Sequence, residues 1–399
     1  MKKLLLLGGS HYLIPAIRKA KELGCYTIVC DYLSDNISHK FCDKHYNISI
    51  VEKDKVLALA SELEIDGIMS FACDPGVVTA AYVAEQMGLP APGPYHSVCI
   101  LQNKGLFRAF LRDNGFNVPR AVSFSAADYS FEEIEGIGYP FIVKPTDSAG
   151  SKGVSVVYQQ SELLQAIRYA LTFSRRKEFI IEEYIEAEGF SSDSDCFSVD
   201  GEMVFTSFSK QRFDRSASNP FTPAAFSWPS SFSQSQENEL KIELQRLIHL
   251  LGMRTSIYNV ETRIGKNEKP YIMEVSPRAG GNRLSEMLYY STGTDLISKS
   301  VCAALGIPFD NNFSQKCDKY WAEIILHADF DGIFQNLWVS DDVKKNVIET
   351  DLWVKQGEPV KAFSAANDAV GTMVLCFDTE KDLEKMMSNI GGNVGVNVK

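Results

Sequence analysis

Short apolar runs alternate with stretches of helical period through the first part of the chain. Lys3 to Leu7, Tyr26 to Cys30 and Gly67 to Phe71 read as strands, and about Leu13 to Leu23, Lys53 to Leu63 and Val77 to Met87 as helices. Strand and helix in alternation predict a parallel sheet. The run Leu89-Pro90-Ala91-Pro92-Gly93-Pro94 breaks the pattern and marks a boundary, after which a helix is expected from about Asn103 to Asn114. Mixed strands and helices continue to about Gly306. The remainder reads as a small α+β unit, with a strand at Thr372 to Phe377 and a helix near Lys381 to Asn389.

Two strands near the middle carry polar residues at alternating positions. In SIYNVETRI, a period of two puts Asn259, Glu261 and Arg263 on one face; in YIMEVSPRAGG it does the same for Ile272, Glu274 and Ser276. Gly265 to Pro270 is turn-like, so the strands should form a hairpin, whose simplest register sets Glu261 opposite Glu274. Facing carboxylates repel by up to about 1 kcal/mol on an exposed sheet unless a cation neutralises them. Magnesium suits hard oxygen ligands and fills its remaining positions with phosphate and water. A surface hairpin salt-bridged through Arg263 or Arg278 is the plainer alternative.

A second polar group follows the apolar strand Tyr139 to Pro145, which ends in Lys144. The loop Asp147-Ser148-Ala149-Gly150-Ser151-Lys152-Gly153-Val154 comes next. Small residues let backbone amides approach phosphate oxygens, with Lys152 as a mobile charge and Lys144 as a fixed one. The sequence is not a Walker loop, and an ordinary solvated hairpin remains open. Another apolar strand, Glu178 to Ile185, could offer backbone groups and carboxylates to a base or ribose.

Composition narrows the field. With 399 residues, 45% of them apolar, the chain can fill two or three domain cores. A formal charge of −11 without a basic block argues against nucleic acid as partner and for small molecules. Nine cysteines without a CxxC pair read as reduced thiols. Met1-Lys2-Lys3 and four leucines are too short for a signal region, and no apolar run could span a bilayer; a cytoplasmic protein without membrane contact is expected. His39, Cys42 and His45 have a zinc-like spacing but no second cluster, which favours a loop or strand-edge role. Gly8-Gly9-Ser10 with Asp31 hints at a dinucleotide, yet GxGxxG is absent. A crevice at the strand ends, where Asp74 also sits, is the better reading.

In order along the chain, Lys104, Lys144-Pro145, the Gly/Ser loop, Glu182-Glu183-Tyr184-Ile185, Glu261 and Glu274-Val275-Ser276-Pro277-Arg278 resemble the ATP-grasp superfamily. The likeness is to the branch of biotin carboxylase and carbamoyl-phosphate synthase, and most to carboxylate–amine ligases of the L-amino-acid and glycinamide-ribonucleotide types. It implies an α/β and α+β chain: a parallel pre-ATP-grasp domain (1–95), a two-lobed ATP-grasp domain (96–308) and a small α+β domain completing the cleft (309–399). It implies ATP and Mg2+, with Mn2+ as substitute, a carboxylic acid and an amine as substrates, and a homodimer. By the same resemblance, Lys104 and Lys144 contact phosphates, while Ser148, Gly150, Ser151, Lys152, Gly153 and Val154 cover them. Glu182, Glu183, Tyr184 and Ile185 hold adenine, Glu261, Glu274 and Ser276 ligate metal, and Arg278 faces the transferred phosphoryl group.

The chain departs from the family pattern in two places. Ser276 stands where the family has the asparagine of Asn-Pro-Arg, and the ribose-binding glutamate is matched only by Glu188, shifted by one. Asn282 replaces the acidic residue that follows the arginine in carboxylases, which argues against that activity. The expected reaction is phosphorylation of a carboxylate to an acyl phosphate, then attack by an amine or a thiol, forming ADP. A degenerate ATP-binding protein, a carboxylase and a nicotinamide-dependent enzyme are the alternatives. Specificity is expected in Ser209 to Phe232, read as a long irregular segment. There Lys210, Arg212 and Arg215 would meet substrate, together with Asn282.

Overall fold

The computed structural model describes residues 1–127, 130–134 and 136–399. Strands β1 (Lys3–Leu7), β2 (Tyr26–Asp31), β3 (Lys44–Asn47) and β4 (Gly67–Ser70) form a parallel sheet in the order β3-β2-β1-β4. Both faces of β1 are covered, which is why it reads as unbroken leucine. Leu4 and Leu6 pack with Ala16 and Ile17 of α1 (Ile14–Glu22). Leu5 and Leu7 pack with Val56 and Leu59 of α2 (Lys53–Leu63) and Val83 of α3 (Asp74–Met87). His45 lies on the edge strand with its ring stacked on that of His39 at 4.4 Å.

Helices α4 (Tyr95–Leu101) and α5 (Lys104–Asp113) lead out of this unit. The Asn103 side chain accepts from Leu106 N and so sets where α5, and hence Lys104, begins. Strands β5 (Ala121–Ser125), β6 (Phe141–Pro145), β7 (Ser155–Val157) and β8 (Glu178–Glu183) form an antiparallel sheet in the order β5-β8-β6-β7, covered by α6 (Gln160–Phe173).

The next stretch contributes β9 (Ser192–Val199), β10 (Glu202–Phe205), β11 (Lys210–Phe213), β12 (Pro223–Trp228), α7 (Gln234–Leu250), β13 (Ser256–Ile264), β14 (Pro270–Ser276), α8 (Leu284–Thr292) and α9 (Leu296–Leu305). An antiparallel sheet runs β10-β9-β13-β14. Leu240, Leu244, Leu247 and Ile248 make a helical stripe on α7 that packs with Val260, Ile272 and Val275 and so supports the hairpin from below.

The chain ends with β15 (Tyr320–Leu326), β16 (Gly332–Val339), α10 (Asp341–Lys344), β17 (Val347–Leu352), β18 (Pro359–Val360), β19 (Gly371–Phe377), α11 (Glu380–Met387) and β20 (Val394–Val398). One sheet, ordered β11-β12-β15-β19-β17, joins strands from both sides of residue 309; another runs β18-β16-β20. The molecule is thus mixed α/β, with a parallel sheet at the N-terminus and antiparallel sheets after it. None of the described helices is long and apolar enough to cross a membrane.

Two expectations need correction. Ser209 to Phe232 is not irregular throughout: Lys210–Phe213 and Pro223–Trp228 are paired antiparallel strands, the second buried along most of its length and paired on its other side with β15. Ile272 does not share a face with Glu274. The hairpin pairs Glu261 with Glu274 and then Thr262 with Ile272, leaving Met273 as an extra residue. Beyond this bulge the faces exchange, so Ile272 packs with Val275 over α7 while Tyr271 and Met273 pack with Ile185.

Candidate active site

The in-register hairpin brings Glu261 and Glu274 together as alternation and turn placement predict. Strand β9 pairs on the other side of β13 and aligns Asp193 with Glu261. Asp193, Glu261 and Glu274 therefore make one row of carboxylates across three strands, with Asp195, Asn259 and Ser276 as the next row. Asn259 Nδ2 donates to Asp193 Oδ1 at 2.6 Å. Burial, with the charge of Glu261 beside it, pushes Asp193 up to about 8. Burial also raises Asp195 to about 6, although Ser285 Oγ (2.5 Å) and Gly280 N (2.7 Å) donate to it. Glycine is required at 280, where a Cβ would lie 3.0 Å from Asp195 Oδ1 and 2.5 Å from Leu284 Cδ1. A row of carboxylates that raises the proton affinity of its own member fits a divalent cation.

Cations line the same row. Lys104 Nζ lies 3.2 Å from Glu274 Oε2 and donates to Ser148 O at 2.9 Å, linking α5 to the Gly/Ser loop. Arg263 lies 3.5 Å from Glu261 and donates to Ile185 O at 2.8 Å. Arg278 grips Asp74 of α3 with two bonds, Nε to Oδ1 at 2.8 Å and a terminal nitrogen to Oδ2 at 2.6 Å. Burial opposes the charge on Asp74, but the guanidinium outweighs it and holds the carboxyl below its ordinary value.

Ser276, expected as a metal ligand, is fully buried. Its hydroxyl donates to Asp74 Oδ1 at 2.9 Å and accepts from Gln102 Nε2 at 2.6 Å. Its hydrogen is therefore committed to positioning Asp74, and through it Arg278.

Lys144 on β6 bonds to Glu182 on β8, a pair set by the sheet register. Glu182, expected to hold adenine, is wholly buried with its carboxylate shared between Lys144 and Arg108, whose Nε donates at 3.0 Å. Burial alone would favour the acid, yet two cations bring Glu182 down to about 2. Burial lowers Lys144, with Glu182 opposing that shift. Glu182 is thus a positioning group. A second nitrogen of Arg108 donates to Met273 O, at the bulge, at 2.8 Å. Glu183 turns to Arg120, accepting from its backbone N at 3.2 Å. Ile185 forms an apolar cluster with Tyr271 and Met273 beside the carboxylate row; Tyr184 is half-buried.

The Gly/Ser loop turns through left-handed positions at Gly150 (φ +68°), Ser151 (φ +58°) and Gly153 (φ +74°). Ser151 Oγ donates to Phe221 O at 2.8 Å and Asn219 Nδ2 to Ser151 O at 3.3 Å, so the loop rests on the segment before β12. Lys152 and Val154 are half-buried. Glu188 is exposed, its backbone N bonded to Ile264 O.

The residues expected to meet substrate divide. Lys210 and Arg212 bind α11 instead: Lys210 contacts Glu380 (2.7 Å) and Glu384 (2.8 Å), and Arg212 grips both oxygens of Glu384 at 2.9 Å. They fasten the last helix to β11. Arg215 is exposed on a turn. Asn282 accepts from Tyr12 Oη at 3.0 Å, joining the Arg278 loop to the turn after β1. Sequence reasoning missed Asp193, Asp195, Arg108 and Gln102. Alternation in SSDSDCFS was a signal for the two aspartates.

A family model describing an ATP-grasp domain matches residues 137–286. An L-amino acid ligase from Bacillus licheniformis superposes with a TM-score of 0.81 at 19% identity, covering 100% of this chain and 99% of that one. A phosphoribosylglycinamide synthetase from Anaerococcus prevotii does so with a TM-score of 0.78 at 20% identity over 100% of both chains. The carbamoyl phosphate synthase large chain of Ralstonia nicotianae is 23% identical over 257 residues, which are 64% of this chain and 22% of that one. The chain therefore spans well under a third of that relative's length. Residues 137–286, the stretch that matches the ATP-grasp domain model, carry Lys144, Glu182, Glu261, Glu274 and Arg278.

Proposed function

We propose that the chain is an ATP-dependent, ADP-forming ligase that phosphorylates a small carboxylic acid and condenses the acyl phosphate with an amine. The observation that carries this reading is the in-register pair Glu261 and Glu274, flanked by Lys104 and followed by Arg278. Phosphoryl transfer asks chiefly for positioning and charge neutralisation, which these groups supply without an enzyme nucleophile.

Glu261 and Glu274, with Asp193 beside them, would hold Mg2+, which when bound neutralises phosphate charge. Lys144, fixed by Glu182, and Lys104 would meet phosphate oxygens, and the loop from Ser148 to Val154 would cover them and exclude water. Ile185, Tyr271 and Met273 offer an apolar surface for the base, and Glu183 and Tyr184 the strand end beside it. Arg278 presents a planar, permanently charged fork, oriented by Asp74. A carboxylate oxygen attacks the γ-phosphorus and ADP leaves. The neutral amine then attacks the acyl carbon with its lone pair, the C–O bonding pair leaves with phosphate, and the proton lost from nitrogen passes to that phosphate. The relatives named as an L-amino acid ligase and a phosphoribosylglycinamide synthetase support an amine acceptor. The domain division at 95 and 308, a homodimeric state and a cytoplasmic location belong to the same proposal.

The buried Ser276 favours a second reading, a protein that binds ATP without turnover. Incubation with Mg-ATP and pooled carboxylic acids and amines, followed by mass spectrometry, separates the two. ADP with a condensed product supports the ligase, AMP would point to adenylation, and bound but unconsumed ATP supports the second reading.

A further inference from the structure

Glu323 lies on β15, in register between Phe226 of β12 and Val374 of β19, and is completely buried. Neither of its carboxylate oxygens has a hydrogen-bond partner. An orphaned buried carboxyl costs free energy comparable to a lost hydrogen bond or more. Its burial raises its proton affinity well above the ordinary range, with Glu286 and Glu349 raising it further and Arg283 opposing.

Arg283 is already held. One terminal nitrogen lies 2.9 Å from Glu286 Oε1 and 3.1 Å from Glu349 Oε2; the other lies 3.0 Å from Glu349 Oε1 and 3.2 Å from Thr372 Oγ1. Three carboxylates thus surround one saturated guanidinium, and the surplus charge is negative. Aromatic rings border the group. His11 stacks on Trp353 at 4.6 Å, Tyr12 meets Trp353 edge-on at 5.5 Å, and Tyr290, stacked on Trp321, donates to Glu349 at 2.5 Å. Such rings suit an organic cation.

The cluster adjoins the proposed reaction centre. Asn282 and Arg283 follow Arg278 in one loop and adopt left-handed φ values of +52° and +55°, a strained pair for residues with side chains. Tyr12 and Asn282 tie that loop to the turn after β1. Glu286 and Glu349 are only part-buried and form the solvent edge of the group.

We propose that Glu323, with Glu286 and Glu349, binds the cationic co-substrate, an amine that enters as its ammonium form and passes one proton to a carboxylate of this group before it attacks. This inference rests on the ligase reading, and it assigns residues to the acceptor.

The test is isothermal titration calorimetry of the full chain with a panel of primary alkyl, aryl and amino-acid-amide amines, each paired with its isosteric alcohol. Mg-ATP is titrated separately, so a failure of the nucleotide reading shows independently. At least one amine should bind while its alcohol does not. Glu323→Gln should weaken that amine at least tenfold and leave Mg-ATP affinity unchanged. Glu286→Gln, at the open edge, provides the same readout should Glu323→Gln not fold. Absence of amine binding, amine binding indifferent to either substitution, or Zn2+ or Mn2+ binding lost with Glu323→Gln in place of amine binding would overturn the assignment.

Discussion

Glu182 and Glu323 are both fully buried, yet they sit in opposite electrostatic surroundings. Glu182 lies between Lys144 and Arg108 and is brought down to about 2; Glu323 has no hydrogen-bond partner and is raised well above the carboxylate range. On the nucleotide side the protein supplies both halves of the ion pair, fixing a lysine where phosphate would lie. Around Arg283 it supplies carboxylates in excess. The same side chain at the same burial is a positioning device in one place and, in the proposal made above, a recognition group in the other.

The largest break in this contrast is Glu182→Ala. It leaves two buried cations without a counter-charge and should cost about 3–5 kcal/mol by urea denaturation. Lys144→Ala keeps Glu182 paired with Arg108, so ATP affinity should fall about a hundredfold, close to 3 kcal/mol, while stability falls less.

The pH dependence of stability sharpens the comparison because the two signs differ. The folded Glu182 lies below its ordinary 4.5, so its contribution of about 3 kcal/mol is present above 4.5 and lost as pH falls toward 2. The folded Glu323 lies above 4.5, so its contribution is complete below 4.5 and lost as pH rises toward its folded value. Subtracting the Glu182→Gln and Glu323→Gln stability profiles from wild type should give slopes of opposite sign. Slopes of equal sign would contradict the assignments. The smallest effect belongs to Glu323→Gln below pH 4.5, where both side chains are uncharged and no partner is stranded, within about 1 kcal/mol of wild type.

Much of this was legible in the sequence where the signal is local. Alternation and a six-residue turn sufficed to pair Glu261 with Glu274, and the order of strand and helix sufficed for the parallel sheet. Signals failed where the determinant is distant or irregular. The bulge at Met273 reverses the faces of the hairpin, and nothing in YIME announces it. Asp193 alternates visibly in SSDSDCFS, but its place in the carboxylate row depends on β9 pairing with β13, far along the chain. Lys210 and Arg212 read as substrate contacts because their partner Glu384 lies on the last helix, far along the chain. Asp74 was noticed at a strand end, yet only the folded chain shows that it aims Arg278. Glu323, alone in WAEIIL, carried the same signal as Glu274, an acid inside an apolar strand, without a family motif to draw attention to it.

The most direct test of the central claim follows one oxygen atom. With 18O-labelled carboxylic acids, amines and Mg-ATP, the account predicts label in inorganic phosphate, seen as an upfield shift by 31P NMR, because the carboxylate oxygen leaves with the transferred phosphoryl group. Label in AMP, or turnover that leaves phosphate unlabelled, would contradict it.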